Sequence, residues 1–222
     1  MPHPYDSGRH EPEEENGSSF IPKHDPHRAG KRGGSCDRFP SRDYIEEEAS
    51  CGINKLEVDG LYGLVHIRCP WASRIPCSCG RHSLHLDSIV VAVDGACPGN
   101  GTQLADKSTC GVFFAPDSPA NLAFRVPDTP GYLHTSQRAE LHAAIAAINA
   151  SCPMPCPVVH LVIKSDSAYL VNGTEVKNQD LWTRLVDLVR YLYESTGVAI
   201  DFWHVPRDQN CDADELANLG LE

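Results

Sequence analysis

The chain has 222 residues, with 19 Lys plus Arg against 30 Asp plus Glu, a formal charge of −11, and 41% hydrophobic and 7% aromatic residues. That length supplies one domain of ordinary size and an appendage, with enough apolar residues for a real core. The acidic balance excludes a protein that coats nucleic acid through a broad basic surface, but not an enzyme that grips it locally through metal ions.

Residues 1 to about 50 are rich in Gly, Pro, Ser, His and charge, as in Glu11-Pro12-Glu13-Glu14-Glu15-Asn16-Gly17. No helical or alternating pattern holds there, so a disordered tail is expected. Its start, Met1-Pro2-His3-Pro4-Tyr5-Asp6, has no basic stretch leading into an apolar run. No secretory signal is therefore expected, and no segment approaches the roughly eighteen apolar residues that cross a bilayer. Ten cysteines in such a chain read as buried or free thiols in a reducing compartment, nucleus or cytoplasm, with the mitochondrion also open.

Residues 51–86 form a Cys-containing extension in which Leu61-Tyr62-Gly63-Leu64-Val65-His66-Ile67 can make a short strand. Cys69, Cys77, Cys79 and His82 are spaced C-x7-C-x-C-x2-H. Thiolates and imidazole can hold Zn²⁺, but structural sites pair their ligands two to four residues apart, so free or buried thiols are the simpler reading.

Residues 87–222 carry the pattern of one α/β domain. Ile89-Val90-Val91-Ala92-Val93 is an unbroken apolar run, expected of a central strand covered on both faces. Residues 110–114 and 121–126 flank the turn signal Pro116-Asp117-Ser118-Pro119 and read as paired strands. Residues 135–149 are Ala-rich, with Leu141, Ile145 and Ile148 at helical spacing. A buried strand follows at 160–164, then a short helix at 167–172. Leu181, Leu185, Leu188 and Leu192 line one face of a longer helix. A last strand is expected at 198–203 and a last helix at 210–219. The order β-β-β-α-β-α-α-β-α predicts a mixed five-stranded sheet with helices on its faces. Trp182 and Trp203, inside apolar patterns, read as core.

Two acidic residues end buried strands, Asp94 and Asp166. In an open α/β sheet the ligand crevice lies at the carboxyl ends of the strands, which directs both into it. Glu140 and Asp214 sit in the first turns of helices. Any one of the four is explained as a cap or turn former; four on strongly patterned segments suggest a converging site. Converging carboxylates repel one another unless cations neutralise them, and hard oxygen donors suit Mg²⁺ or Mn²⁺. Two such ions are the usual apparatus for attack of water on a phosphodiester.

Val93-Asp94-Gly95-Ala96-Cys97-Pro98-Gly99-Asn100-Gly101, Thr135-Ser136-Gln137-Arg138-Ala139-Glu140-Leu141, Lys164-Ser165-Asp166-Ser167-Ala168-Tyr169 and Asp214-Glu215-Leu216-Ala217 resemble the ordered motifs of type 1 ribonuclease H. The segment Val176-Lys177-Asn178-Gln179-Asp180-Leu181-Trp182 is similar to the family's approach to its long helix. The resemblance covers about residues 86–222. It implies a ribonuclease H-like fold, and a two-metal endonuclease that cleaves the RNA strand of RNA–DNA hybrids. It also implies metal-binding and catalytic roles for Asp94, Glu140, Asp166 and Asp214, with hybrid contacts from Asn100, Ser136 and Gln137. Two Mg²⁺ ions, for which Mn²⁺ can substitute, are the implied cofactors, and the hybrid is the implied partner of a monomeric protein with no membrane association.

Three departures stand out. The family commonly has a histidine in the loop before the last helix, whereas here the loop is Val205-Pro206-Arg207-Asp208-Gln209-Asn210 and His204 lies earlier. His204 therefore reads as structural. The segment Asn172-Gly173-Thr174-Glu175-Val176-Lys177 is too short for the basic protrusion of some members. From Ser88 on, 8 Lys and Arg face 16 Asp and Glu, a net of −8, so duplex affinity should be modest and salt-sensitive. These departures also fit a weakly active or inactive nucleic-acid-binding protein of the same fold.

Overall fold

The computed structural model describes residues 57–59, 63–68, 84–152, 158–173 and 177–222. The tail at 1–50, the group Cys69, Cys77, Cys79 and His82, and Cys156 lie outside the described residues.

The apolar run 89–93 lies within a strand of 13 residues, Leu84–Ala96. The strands in chain order are β1 (Glu57–Asp59), β2 (Val65–Arg68), β3 (Leu84–Ala96), β4 (Thr109–Phe113), β5 (Leu122–Arg125), β6 (His160–Ser165) and β7 (Ala199–His204). The α-helices are α1 (Ser136–Ser151), α2 (Ala168–Asn172), α3 (Gln179–Thr196) and α4 (Cys211–Leu219), and a 3-10 turn, Arg207–Gln209, precedes α4.

β3 organises the sheet. On one edge it pairs in parallel with β6, which pairs in parallel with β7. On the other edge β4 runs antiparallel to its C-terminal half, followed by β5. These five strands are the expected mixed set. The sheet nevertheless holds seven strands among the described residues, not five. The expected count falls short because the N-terminal half of β3 pairs antiparallel with β2, which pairs with β1. β2 follows β4 along the same edge, and the Val65 amide donates to the Phe114 carbonyl. The extension thus builds part of the sheet, and β3 itself begins at Leu84.

Alternation along β3 divides the core. Ile89, Val91 and Val93 face α1, in a cluster with Leu141, Ile145 and Ile148 and with Leu181, Leu185, Val189 and Leu192 of α3. Val189 is buried on α3, while Leu188 packs at the margin of the stripe. Val90 faces the other side, in a smaller cluster with Val65, Ala115, Val162, Trp203 and Val205. On that side the Lys164 ammonium pairs with Glu57 of β1 at 2.7 Å. Trp182 and Trp203 are both buried.

α4 lies directly on β4 because residue 111 is glycine. A Cβ there would overlap the Ala213 carbonyl oxygen and the Ala217 amide, both backbone atoms of α4. The Thr109 hydroxyl fastens the same contact by donating to the Ala217 carbonyl at 2.6 Å. Gly111→Ala must push the helix off the sheet, and overpacking against a backbone that cannot yield costs about 3 kcal/mol. Urea melts should show that loss of stability together with weakened placement of Asp214; an unchanged midpoint would mean that α4 rides freely on the strand.

Candidate active site

Residue 95 is glycine at the point where α1 crosses the end of β3. A Cβ on Gly95 would collide with the Glu140 amide and the Ala139 carbonyl carbon. Its absence lets the first turns of α1 settle onto the strand, bringing Glu140 beside Asp94. α1 is started by Thr135, whose side chain accepts from the Arg138 amide at 3.2 Å. The side chain of Arg138, itself buried, anchors that turn from the other side. It donates to both Asp180 oxygens, at 3.0 and 2.8 Å, and the Tyr132 ring lies over its guanidinium at 4.1 Å. The Arg138 hydrogen bonds hold the Asp180 carboxyl below its ordinary range.

Asp94, Glu140 and Asp166 converge. Each offers an oxygen within 4.8 Å of the others'. Asp94 and Glu140 are buried and Asp166 half-buried. Burial first, then the negative charges of Asp166 and Asp214, push the Asp94 carboxyl up to about 7. Burial, Asp94 and Asp166 raise Glu140 well above its ordinary value, against a weak Ser165 hydroxyl bond at 3.4 Å. The buried Cys110 thiol below donates to the Ala139 carbonyl, and burial with the same acids keeps it protonated.

Asp214 stands outside that trio. Its Oδ1 accepts from Arg207 Nη2 at 2.7 Å and its Oδ2 from Asn218 Nδ2 at 3.0 Å. Its charge still reaches Asp94. Asp212, two residues earlier on α4, is exposed.

Asn100 and Ser136 are bonded reciprocally. Asn100 Nδ2 donates to Ser136 Oγ at 2.9 Å, and the Ser136 amide donates to Asn100 Oδ1 at 3.3 Å. This ties the β3–β4 loop to the start of α1, and Gln137 follows there, half-buried. His204 is exposed and its Nε2 donates to the Asp166 carbonyl at 3.2 Å. It thus touches the main chain of a site residue and none of the carboxylates.

Two residues of the site come from the histidine-free loop before α4, and nothing in the sequence gave either a role. Asn210 is buried, and its Nδ2 donates to the Val93 carbonyl at 3.0 Å and to Asp166 Oδ1 at 3.1 Å. It clamps Asp166 against the end of β3. Arg207 reaches across from the 3-10 turn, and its charge acts on Asp94 and Glu140 as well as on Asp214. A buried Asn at a helix start looks in sequence like an ordinary cap; here its side chain makes no cap bond to α4.

The sequence model of a family described as RNase H matches residues 87–222, more than half of the chain. Ribonuclease H1 of Rattus norvegicus is 30% identical over 158 residues, an alignment covering 61% of this chain and 51% of that protein. The chain thus spans about half the length of that relative. Ribonuclease H of Albidiferax ferrireducens is 32% identical over 161 residues, covering 62% of this chain and 96% of that protein. Among solved structures, RNase H1 of Halobacterium salinarum aligns with a TM-score of 0.46 at 24% identity, covering 60% of this chain and 97% of that one.

Proposed function

The chain belongs to the ribonuclease H family, and from that premise we propose that it hydrolyses the RNA strand of RNA–DNA hybrids with the aid of divalent cations. The observation that carries this reading is the convergence of Asp94, Glu140 and Asp166 within 4.8 Å. Three carboxylates so placed, two of them buried with raised affinity for protons, form a hard-oxygen donor set in need of positive charge. The residues fit divalent cations of the Mg²⁺ kind, with Mn²⁺ as a substitute. Such cations, when bound, supply activation of water and stabilisation of charge on the phosphate.

The chain's own residues divide the remaining work. Asp94, Glu140 and Asp166 would hold the cations, and Asn210 fixes the Asp166 carboxylate in place beside the other two. Asp214 is the fourth carboxylate of the set. The Asn100–Ser136 unit and Gln137 present amide and hydroxyl groups to the substrate. Those groups suit a ribose 2′-hydroxyl, which both donates and accepts and separates RNA from DNA. The acidic domain surface limits affinity for the duplex backbone, so binding should weaken steeply with salt. An intracellular setting suits the free thiols of Cys97, Cys110, Cys152 and Cys211.

The test is cleavage of labelled RNA in a hybrid by the full chain, with Mg²⁺, Mn²⁺ or EDTA, beside double-stranded DNA. Cleavage of the hybrid alone, abolished by EDTA, is expected. Cleavage that persists in EDTA, or folded protein inert in both metals, would refute the assignment and favour a binding role.

A further inference from the structure

Asp214 is held by two neighbours of its own segment. Arg207 Nη2 sits 2.7 Å from Oδ1, and Asn218 Nδ2 sits 3.0 Å from Oδ2, so hydrogen bonds engage both oxygens. The Asp214 backbone amide donates to the Asn210 carbonyl, and Asn210 in turn clamps Asp166. The acid is therefore fixed close to the Asp94–Glu140–Asp166 group while its oxygens point to other partners. Arg207 differs from those partners in one respect. It is 78% exposed, on a three-residue turn, and so is free to move without disturbing a core. Its guanidinium cannot shed its proton, and it lies near enough for its charge to bear on Asp94 and Asp166 too. It is a permanent monovalent cation at the rim of an acidic group.

We propose that Arg207 is a positioning residue that competes with divalent cation for Asp214, holding the carboxylate at the rim and releasing it when cation is loaded. The inference rests on the reading of the acidic group as a divalent-cation site. An exposed pair of this kind is weak and screened by salt, so it sets a threshold for loading without blocking it. Competition also gives a sign that a merely structural role does not. Loss of a structural brace would loosen the site and weaken cation binding; loss of a competitor tightens it.

The experiment is calorimetric titration of the EDTA-treated full chain with Mn²⁺ at low ionic strength, using the wild type, R207Q, R207K, D214N and R207Q/D214N. R207Q should bind Mn²⁺ at least about threefold more tightly than wild type, the scale expected for an exposed charge pair. R207K, which keeps the charge, should stay near wild type. In the D214N background the R207Q tightening should shrink to a clearly smaller remainder, because the competitor has lost its object and only the reach of its charge to Asp94 and Asp166 remains. Unchanged or weaker binding by R207Q, or tightening of equal size in the D214N background, would overturn the competition while leaving the cation site intact. Absence of Mn²⁺ binding by the wild type would remove both the competition and the proposed function.

Discussion

Asp94→Asn should abolish metal-dependent cleavage, by at least about a thousandfold, and at the same time make the cation-stripped protein more stable at pH 8. The first effect follows from the proposed cation site, because asparagine keeps the shape and removes one of its charges. The second follows from linkage. The Asp94 carboxyl, ordinarily near 3.8, is raised to about 7 in the folded chain. Between about pH 4 and pH 7 the folded state therefore binds a proton that the unfolded state has lost. Stability from this group is full below pH 4 and falls away as pH rises through 7. A shift of that size corresponds to roughly 4 kcal/mol as an upper bound, with burial contributing more than the repulsion of Asp166 and Asp214. Asparagine cannot ionise, so the variant escapes the loss. Melts at pH 5 and pH 8 should show the wild type weakening more than the variant, in which Glu140 alone of the two buried acids remains raised, and Mg²⁺ or Mn²⁺ should restore the wild type more than the variant. A variant no more stable than wild type at pH 8 would mean that neither burial nor its neighbours raise the Asp94 carboxyl in the folded chain.

Much of the architecture could be read from the chain because burial leaves a periodic trace in the side chains. Strands covered on both faces need apolar runs, and 89–93 and 160–164 supply them at the centre of the sheet. Helices need a stripe, and α3 keeps Leu181, Leu185 and Leu192 within it. What escaped was short or irregular. β1 has three residues, Glu57-Val58-Asp59, too few to establish any period. β3 reaches back to Leu84 through a stretch with no continuous apolar run, held by backbone pairing to β2 with a register shift between His66 and Ile67. Pairing between backbones leaves little trace in side-chain pattern.

The acidic residues at strand ends and helix starts were visible because topology sends those positions to one crevice. Their supports were not. Gly95 and Gly111 matter for what approaches them from distant helices, and a sequence shows only that they are glycines. Asn210 and Arg207 sit in a polar turn of ordinary composition. Their importance lies in reaching Asp166 across 44 residues and Asp214 across 7. The second contact is local, and of the two helix-start aspartates, Asp212 and Asp214, the resemblance of Asp214-Glu215-Leu216-Ala217 singles out the one that Arg207 holds, though nothing in the motif points to Arg207.

That pair of aspartates yields the sharpest test of the site. Residues two apart on a helix point about 200° away from each other, so Asp212 and Asp214 cannot serve the same crevice. Asp214 is half-buried, bound by Arg207 and Asn218, and close enough for its charge to raise Asp94. Asp212 is exposed. Asp214→Asn should therefore cut metal-dependent cleavage at least about a hundredfold, with little loss of stability, because an exposed ion pair contributes at most about 1 kcal/mol. It should also lower the Asp94 carboxyl toward its ordinary range, a shift visible in the pH dependence of the melts described above. Asp212→Asn should leave cleavage within about twofold of wild type. Single-turnover rates on a labelled hybrid, at saturating Mg²⁺, compare the two directly. Should Asp212→Asn be the inactive variant, α4 would have to turn by two residues to bring Asp212 to the site, and the hold of Arg207 on Asp214 would belong to the fold and not to the site.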